Sequence, residues 1–216
     1  MLAGRPLIDY CVLAAKAANT VSRIVCSTDS EEIGAHCKER GVDVIWRPEE
    51  LAGDSSPTTD VIAHFASETV ESGSGLPEMV ALLQPTSPFV LPEHIDACIN
   101  KLKDAEDAAS VQTLLQCPHH PHAYNQRVIE NDRVRFRFEE ERRFAHNKQA
   151  KPAHFILGNF VGFRLQEAVE QETSFPEPSL PVKIPQAYGL DADGRWDFQL
   201  GEAMLAAGLV YLPHLN

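Results

Sequence analysis

Glycine-rich phosphate signatures are missing from this sequence: neither G-x-G-x-x-G nor G-x-x-x-x-G-K occurs in its 216 residues. A dehydrogenase or P-loop reading has no support, since both need glycines that let backbone approach a phosphate. Long apolar runs are missing as well. No stretch nears the roughly 20 residues a membrane helix requires, and Met1 to Pro6 lack a signal peptide's apolar core. A cytoplasmic protein with no membrane partner is expected. Basic charge is scarce, with 19 Lys and Arg against 31 Asp and Glu and a formal charge of -12. Such a surface repels a polyanion, which excludes nucleic acid as a partner. A small anionic ligand stays admissible where a few cations or a metal reverse the local field. Cys-x-x-Cys pairs are absent too. Cys11, Cys26, Cys37, Cys98 and Cys117 are scattered, mostly in apolar stretches, as reduced buried thiols are.

What is present is an ordinary globular mixture, 44% hydrophobic and 23% charged, of one-domain length. Leu7, Ile8, Cys11, Val12 and Ala15 recur at helical spacing behind Pro6. Arg23 to Ser27 reads as a short strand. Thr28-Asp29-Ser30 then caps a helix with Glu31 and Glu32 in its first turn, Ile33 and Cys37 on one face, and Gly41 as its stop. Val42 to Trp46 is a second strand, and Arg47 to Thr59 a loop before a helix from about Asp60 to Val70. The continuous apolar run Met79 to Gln84 predicts a strand buried on both faces, ended by Pro85-Thr86-Ser87-Pro88. A helix over Pro92 to Leu102 and a strand over Ala109 to Thr113 follow. This alternation predicts an α/β, Rossmann-like fold with a mainly parallel sheet. From about residue 117 the rhythm changes. Val134 to Phe138 alternates with period two and His154 to Phe163 is extended, so antiparallel pieces are expected before a last helix over about Arg195 to Ala207.

Three polar loops follow predicted strands: Ser27-Thr28-Asp29, Arg47 to Thr59, and Gln84 to Pro88. In an open α/β sheet such loops gather at the carboxyl edge, where ligands bind. Asp191-Ala192-Asp193 adds chemistry. In an extended segment, side chains at i and i+2 share a face, about 6.6 Å apart. Two carboxylates so placed repel each other and gain from a divalent cation; Mg²⁺ takes one or two carboxylates and leaves its other positions to water and phosphates. The alternative is a helix-capping aspartate beside a surface one. Cys117-Pro118-His119-His120-Pro121-His122 has zinc-type ligands, but prolines interrupt it and the ligands crowd one element, so a structural loop is expected. His64 and His94 are read as packing residues, and Arg142-Arg143 beside Glu139 to Glu141 as a solvated charge cluster.

Five phrases then stand in register: Leu2-Ala3-Gly4-Arg5-Pro6-Leu7-Ile8, Ser27 to Ile33, Arg47 to Asp54, Leu82 to Pro88, and Asp191-Ala192-Asp193. Across nearly the whole chain they resemble the CMP-sialic acid synthetases (acylneuraminate cytidylyltransferases) and, more distantly, the sugar-acid cytidylyltransferases as a group. The resemblance implies joining of CMP, from CTP, to a nine-carbon 2-keto sugar acid with release of pyrophosphate. It implies Mg²⁺ on Asp191 and Asp193, cytidine contacts from Arg47, Asp54, Ser55 and Ser56, and sugar contacts from Gln84, Thr86 and Ser87. It also implies a homodimer, built through an insert at about 117–187 that reaches toward the partner's site with Lys148, Gln149 and Asn159. The sequence departs from the family at His146-Asn147-Lys148-Gln149, where a pair of arginines often precedes the glutamine. Further departures are Asn159-Phe160, where Asn-Gly is common, and Phe89-Val90, where Leu-Arg is common. Sugars other than N-acetylneuraminate are therefore admitted: an eight-carbon ulosonate, pseudaminate or legionaminate. The family opens with a strand and a Gly-rich loop carrying an arginine and a lysine for the triphosphate, and Met1 falls just after that segment. A single, N-terminally shortened cytidylyltransferase domain with low turnover, or a non-catalytic paralogue, is expected.

Overall fold

The computed structural model describes residues 1–53, 56–145 and 147–215. Helix α1 (Leu7–Ala17) buries Asp9, Tyr10, Cys11, Val12, Ala14 and Ala15, so it is enclosed on several sides. Each side meets a different part of the core. Cys11 and Ala14 pack with Val90, Ile95, Cys98, Val111 and Phe160. Val12 packs with Cys37 and Val42, and Tyr10 with Leu2, Phe89 and Leu190.

On one flank, strand β1 (Val25–Thr28) crosses through helix α2 (Glu31–Glu39) to strand β2 (Asp43–Trp46), pairing parallel with Val25 opposite Asp43. Ser30 caps α2 by accepting the Ile33 amide, and Gly41 takes the positive φ (65°) expected of the stop. Cys37 is buried as expected, whereas Ile33 is exposed. Gly34 explains how α2 lies on β2: a Cβ there would stand 2.3 Å from the Trp46 ring. The buried Asp9 carboxylate ties α1 to α2, accepting from the Arg40 guanidinium (2.8 Å) and standing 2.7 Å from His36 Nε2.

Helix α3 (Thr58–Glu71) leads to the main sheet, which has the order β3-β7-β4-β8. Its strands are β3 (Met79–Leu82), β4 (Ser110–Gln116), β7 (Phe155–Arg164) and β8 (Ser179–Lys183). Helix α4 (Pro92–Lys103) packs against β4 and β7. The strands β3, β4 and β8 share one direction, and β7 runs against them between β3 and β4. The architecture is Rossmann-like α/β, with parallel crossovers and one strand of the main sheet, β7, antiparallel to both its neighbours. Strand β3 is half-buried along its length, not enclosed on both faces. It is an edge: among the described residues β3 pairs only with β7, and β1 only with β2.

Between β4 and β7 the chain leaves the sheet as a hairpin, β5 (Arg127–Glu130) with β6 (Arg133–Phe136), and a short helix α5 (Glu139–Phe144). The out-of-sheet excursion is narrower than 117–187, because β7, the following helix α6 (Leu165–Glu170) and β8 belong to the main layer. Helix α7 (Arg195–Ala206) closes the fold. No described helix is long and apolar enough to cross a membrane.

Asp9→Asn keeps the shape of the α1–α2 tie and removes its charge. A loss of roughly 1.5–3 kcal/mol is expected, the worth of hydrogen bonds to a charged group. Urea unfolding should show a lower midpoint at unchanged slope; an unchanged midpoint would mean the ion pair is dispensable.

Candidate active site

The site begins with an irregularity in pairing. Gln112 of β4 lies opposite Val161 and Leu114 opposite Leu157, so Thr113 alone faces Gly158, Asn159 and Phe160. This bulge on β7 breaks the ladder and re-aims side chains. The fully buried Thr113 hydroxyl fills the break, accepting the amides of Asn159 and Phe160 at 2.9 Å each. Gly158 is required at this approach, since a Cβ would sit 2.7 Å from Thr113 Oγ1. The bulge turns Asn159 inward, where it is only 4% exposed.

Asn159 was expected among the sugar contacts, yet its amide is spent inside the protein. Nδ2 donates to the carbonyls of Phe89 (3.2 Å) and Tyr188 (3.0 Å) and lies 3.2 Å from His94 Nδ1. Oδ1 stands 3.2 Å from the Thr113 hydroxyl. Phe89 closes the loop that follows β3, and Tyr188 opens the loop carrying the paired aspartates. A direct bond joins the same loops: the Ala192 amide donates to the Thr86 carbonyl at 2.7 Å.

Ala192 is buried while Asp191 and Asp193 are exposed, the alternation of an extended segment. Neither carboxylate has a hydrogen-bond or ion-pair partner among the described residues. Two unpartnered carboxylates on one exposed face suit a hard divalent cation completed by phosphate oxygens. On the facing loop Gln84 is exposed, Thr86 and Ser87 are half-buried, and the Ser87 amide donates to the Gln84 carbonyl at 2.9 Å. His94 sits beneath this junction, edge-on to Tyr188 at 5.4 Å, with Nδ1 accepting the Leu91 amide. Burial pushes its pKa down to about 4.

A second polar group lies at the carboxyl ends of β1 and β2. Arg47 donates to Asp29 at 2.8 Å, and its amide donates to the Thr28 carbonyl at 3.0 Å. Arg47 Nε and Ser27 Oγ are buried with no hydrogen-bond partner among the described residues. Ser56 donates to the Glu50 carbonyl at 3.3 Å. Asp54 and Ser55 lie outside the described residues, as does His146. Lys148 and Gln149 are exposed on the excursion, and no described hydrogen bond or ion pair links them to the Gln84 or Asp191 loops. The His122 ring is occupied on both nitrogens, with the Pro152 carbonyl and the Tyr124 amide, which leaves it no lone pair for a metal. Arg142 is less solvated than expected, stacked at 4.0 Å on the Phe136 ring.

Sequence reasoning missed Thr113, His94 and Tyr188 as the frame of the site, and the bulge that joins them. A glycine inside an apolar strand pattern, Gly158, is the one signal that could have revealed it.

In an open, Rossmann-like α/β sheet, ligands bind at polar loops beyond the carboxyl ends of strands, which is where the Gln84–Ser87 and Arg47 loops lie. The chain belongs to the cytidylyltransferase family, whose sequence profile matches residues 1–151. It is 39% identical over 95 residues to the N-acylneuraminate cytidylyltransferase of Escherichia coli, a match covering 44% of this chain and 22% of that protein. It is 27% identical over 212 residues to the CMP-N,N'-diacetyllegionaminic acid synthase of Legionella pneumophila, covering 95% and 87%. Its fold is similar to that of CMP:2-keto-3-deoxy-manno-octonic acid synthetase solved with CTP, at TM-score 0.66 and 13% identity, covering 96% and 90%.

The His94 burial has a pH consequence. With a folded pKa of about 4 and an ordinary value of 6.5, the unfolded chain binds a proton in between that the folded chain does not. This contribution is therefore lost as pH falls from about 6.5 to about 4. His94→Asn cannot titrate and keeps an acceptor near Nδ1, so its stability should fall less steeply across that window. An unaltered slope in urea unfolding would contradict the assignment.

Proposed function

We propose that this chain transfers CMP from CTP to a sialic-acid-like 2-keto sugar acid and releases pyrophosphate. The observation that carries the reading is the Ala192–Thr86 bond, which sets two unpartnered carboxylates against the Gln84–Ser87 loop in a member of the cytidylyltransferase family. The sugar's anomeric oxygen bonds to the α-phosphorus, the bond to the bridging oxygen breaks, and pyrophosphate leaves with that electron pair. The hydroxyl proton passes to solvent. Alignment and charge neutralisation supply the rate, with no covalent catalyst.

In this reading Asp191 and Asp193 hold Mg²⁺, which when bound neutralises α-phosphate charge and acidifies the attacking hydroxyl. Arg47, whose Nε has no partner among the described residues, grips the cytidine together with Asp54, Ser55 and Ser56. Gln84, Thr86 and Ser87 orient the sugar acid. The E. coli relative favours N-acylneuraminate as that acid; the Legionella relative favours legionaminate, and pseudaminate or an eight-carbon ulosonate are close in chemistry. A cytoplasmic setting goes with the reading, since all five cysteines are free.

A homodimer completes it. Ile129 and Val134 face each other across the β5–β6 hairpin at 75% and 67% exposure, Phe144 is exposed on the same excursion, and Ile156 and Leu157 are exposed at the start of β7. An apolar surface of this kind suits a second copy, whose site Lys148 and Gln149 would then approach. Ile129→Asp with Val134→Asp should give monomers in sedimentation velocity; an unchanged species would refute this surface.

One observation favours a second reading. Arg47 is the sole cation on the four strand-end loops, and it already faces Asp29. A non-catalytic paralogue would tolerate that poverty of positive charge. Calorimetry with CTP and Mg²⁺ discriminates: heat and a thermal shift are expected, and silence in both would favour the paralogue. Pyrophosphate release over a panel of acid sugars then identifies the acceptor. Asp191→Asn with Asp193→Asn should cut release roughly a hundredfold, and undiminished release would defeat the proposal.

A further inference from the structure

Among the described residues, Asn159 is a buried side chain that hydrogen-bonds to both loops of the candidate site. The bulge at Gly158–Phe160 aims it inward, and Thr113 braces it from β4 through its own hydroxyl. From that position Nδ2 donates to Phe89 at the end of one loop and to Tyr188 at the start of the other. A primary amide has two N–H groups, and two carbonyls from different loops take them. No apolar side chain could hold both carbonyls, and leaving either buried without a donor costs roughly 1–3 kcal/mol.

We infer that Asn159 is a positioning residue for the cation site: it fixes the spacing between the Gln84–Ser87 loop and the Asp191–Asp193 carboxylates without touching substrate. The inference rests on the reading above of those carboxylates as the metal pair. Asn159 sets the distance between Phe89 and Tyr188, the Ala192–Thr86 bond forms at that distance, and the burial of Ala192 turns both neighbouring carboxylates outward. Removing the amide lets the two loops drift apart. The two aspartates then lose the geometry that makes a shared cation favourable, although every residue of the loops is retained.

The test compares Asn159→Ala with Asp9→Asn, a substitution in the α1–α2 tie that serves as a destabilised control. Two quantities are read on the whole chain: hydrogen exchange of the Ala192 amide, and Mn²⁺ affinity by electron paramagnetic resonance in the presence of CTP. In Asn159→Ala, exchange at Ala192 should rise at least tenfold and Mn²⁺ affinity fall at least tenfold, with both unchanged in Asp9→Asn. Exchange and affinity at native values in a folded Asn159→Ala protein would overturn the inference, as would equal changes in the control. Should Asn159→Ala fail to fold, Thr113→Val removes the brace at nearly constant shape and is read by the same criteria. Mn²⁺ binding that survives Asp191→Asn with Asp193→Asn would defeat the metal reading, and the inference with it. Native Ala192 exchange in Asn159→Ala defeats the positioning role alone.

Discussion

The hydrogen bond from the Ala192 amide to the Thr86 carbonyl is the constraint on which the candidate site depends. It pins the middle residue of an extended tripeptide against the loop after β3, so the flanking aspartates both face outward. Like charges on one face would separate if the backbone were free to turn. The cost of keeping them together is borne by packing around Leu190, Phe89 and Tyr10, and by the Asn159 clamp below. This part of the site is thus built from backbone contacts and one buried amide, with the Asp191 and Asp193 carboxylates left without partners among the described residues.

Charge explains why such a site calls for a cation. The chain carries -12, and its strand-end loops hold several carboxylates against one arginine. A triphosphate meets net repulsion there unless positive charge arrives with it. In the proposed reading the paired carboxylates would recruit that charge as a divalent ion, and the nucleotide would bind as part of the same cluster. Helix α1 makes the arrangement possible mechanically. It joins the β1–β2 flank, with Arg47 and Asp29, to the main sheet through three separate packing faces.

The helices were largely legible in the sequence because their apolar periodicity and caps are local. Pro6, Ser30 and Gly41 mark boundaries that the structure places within a residue or two. The short helices α5 and α6 have too few turns for a period to emerge. Strand β8 was hidden because Pro181 interrupts its pattern, a residue tolerated at a sheet edge. The half-burial of β3 was illegible for a topological reason: an apolar run does not say how many neighbours its strand has. The site divides along the same line. The D-x-D alternation and the polar loops are local and could be read. Asn159 was expected among the sugar contacts from the resemblance alone, and its inward turn depends on a register shift between strands that lie far apart in sequence.

Paramagnetic relaxation is the most direct measure of the central claim, since it reports where a divalent ion sits without requiring turnover. With the chain labelled for amide NMR and Mn²⁺ added at a small fraction of stoichiometry, the amides of Asp191, Ala192 and Asp193 should broaden first, together with those of Thr86 and Ser87. Broadening that begins elsewhere, or that spares the loop after β3 while affecting the aspartates, would contradict the account.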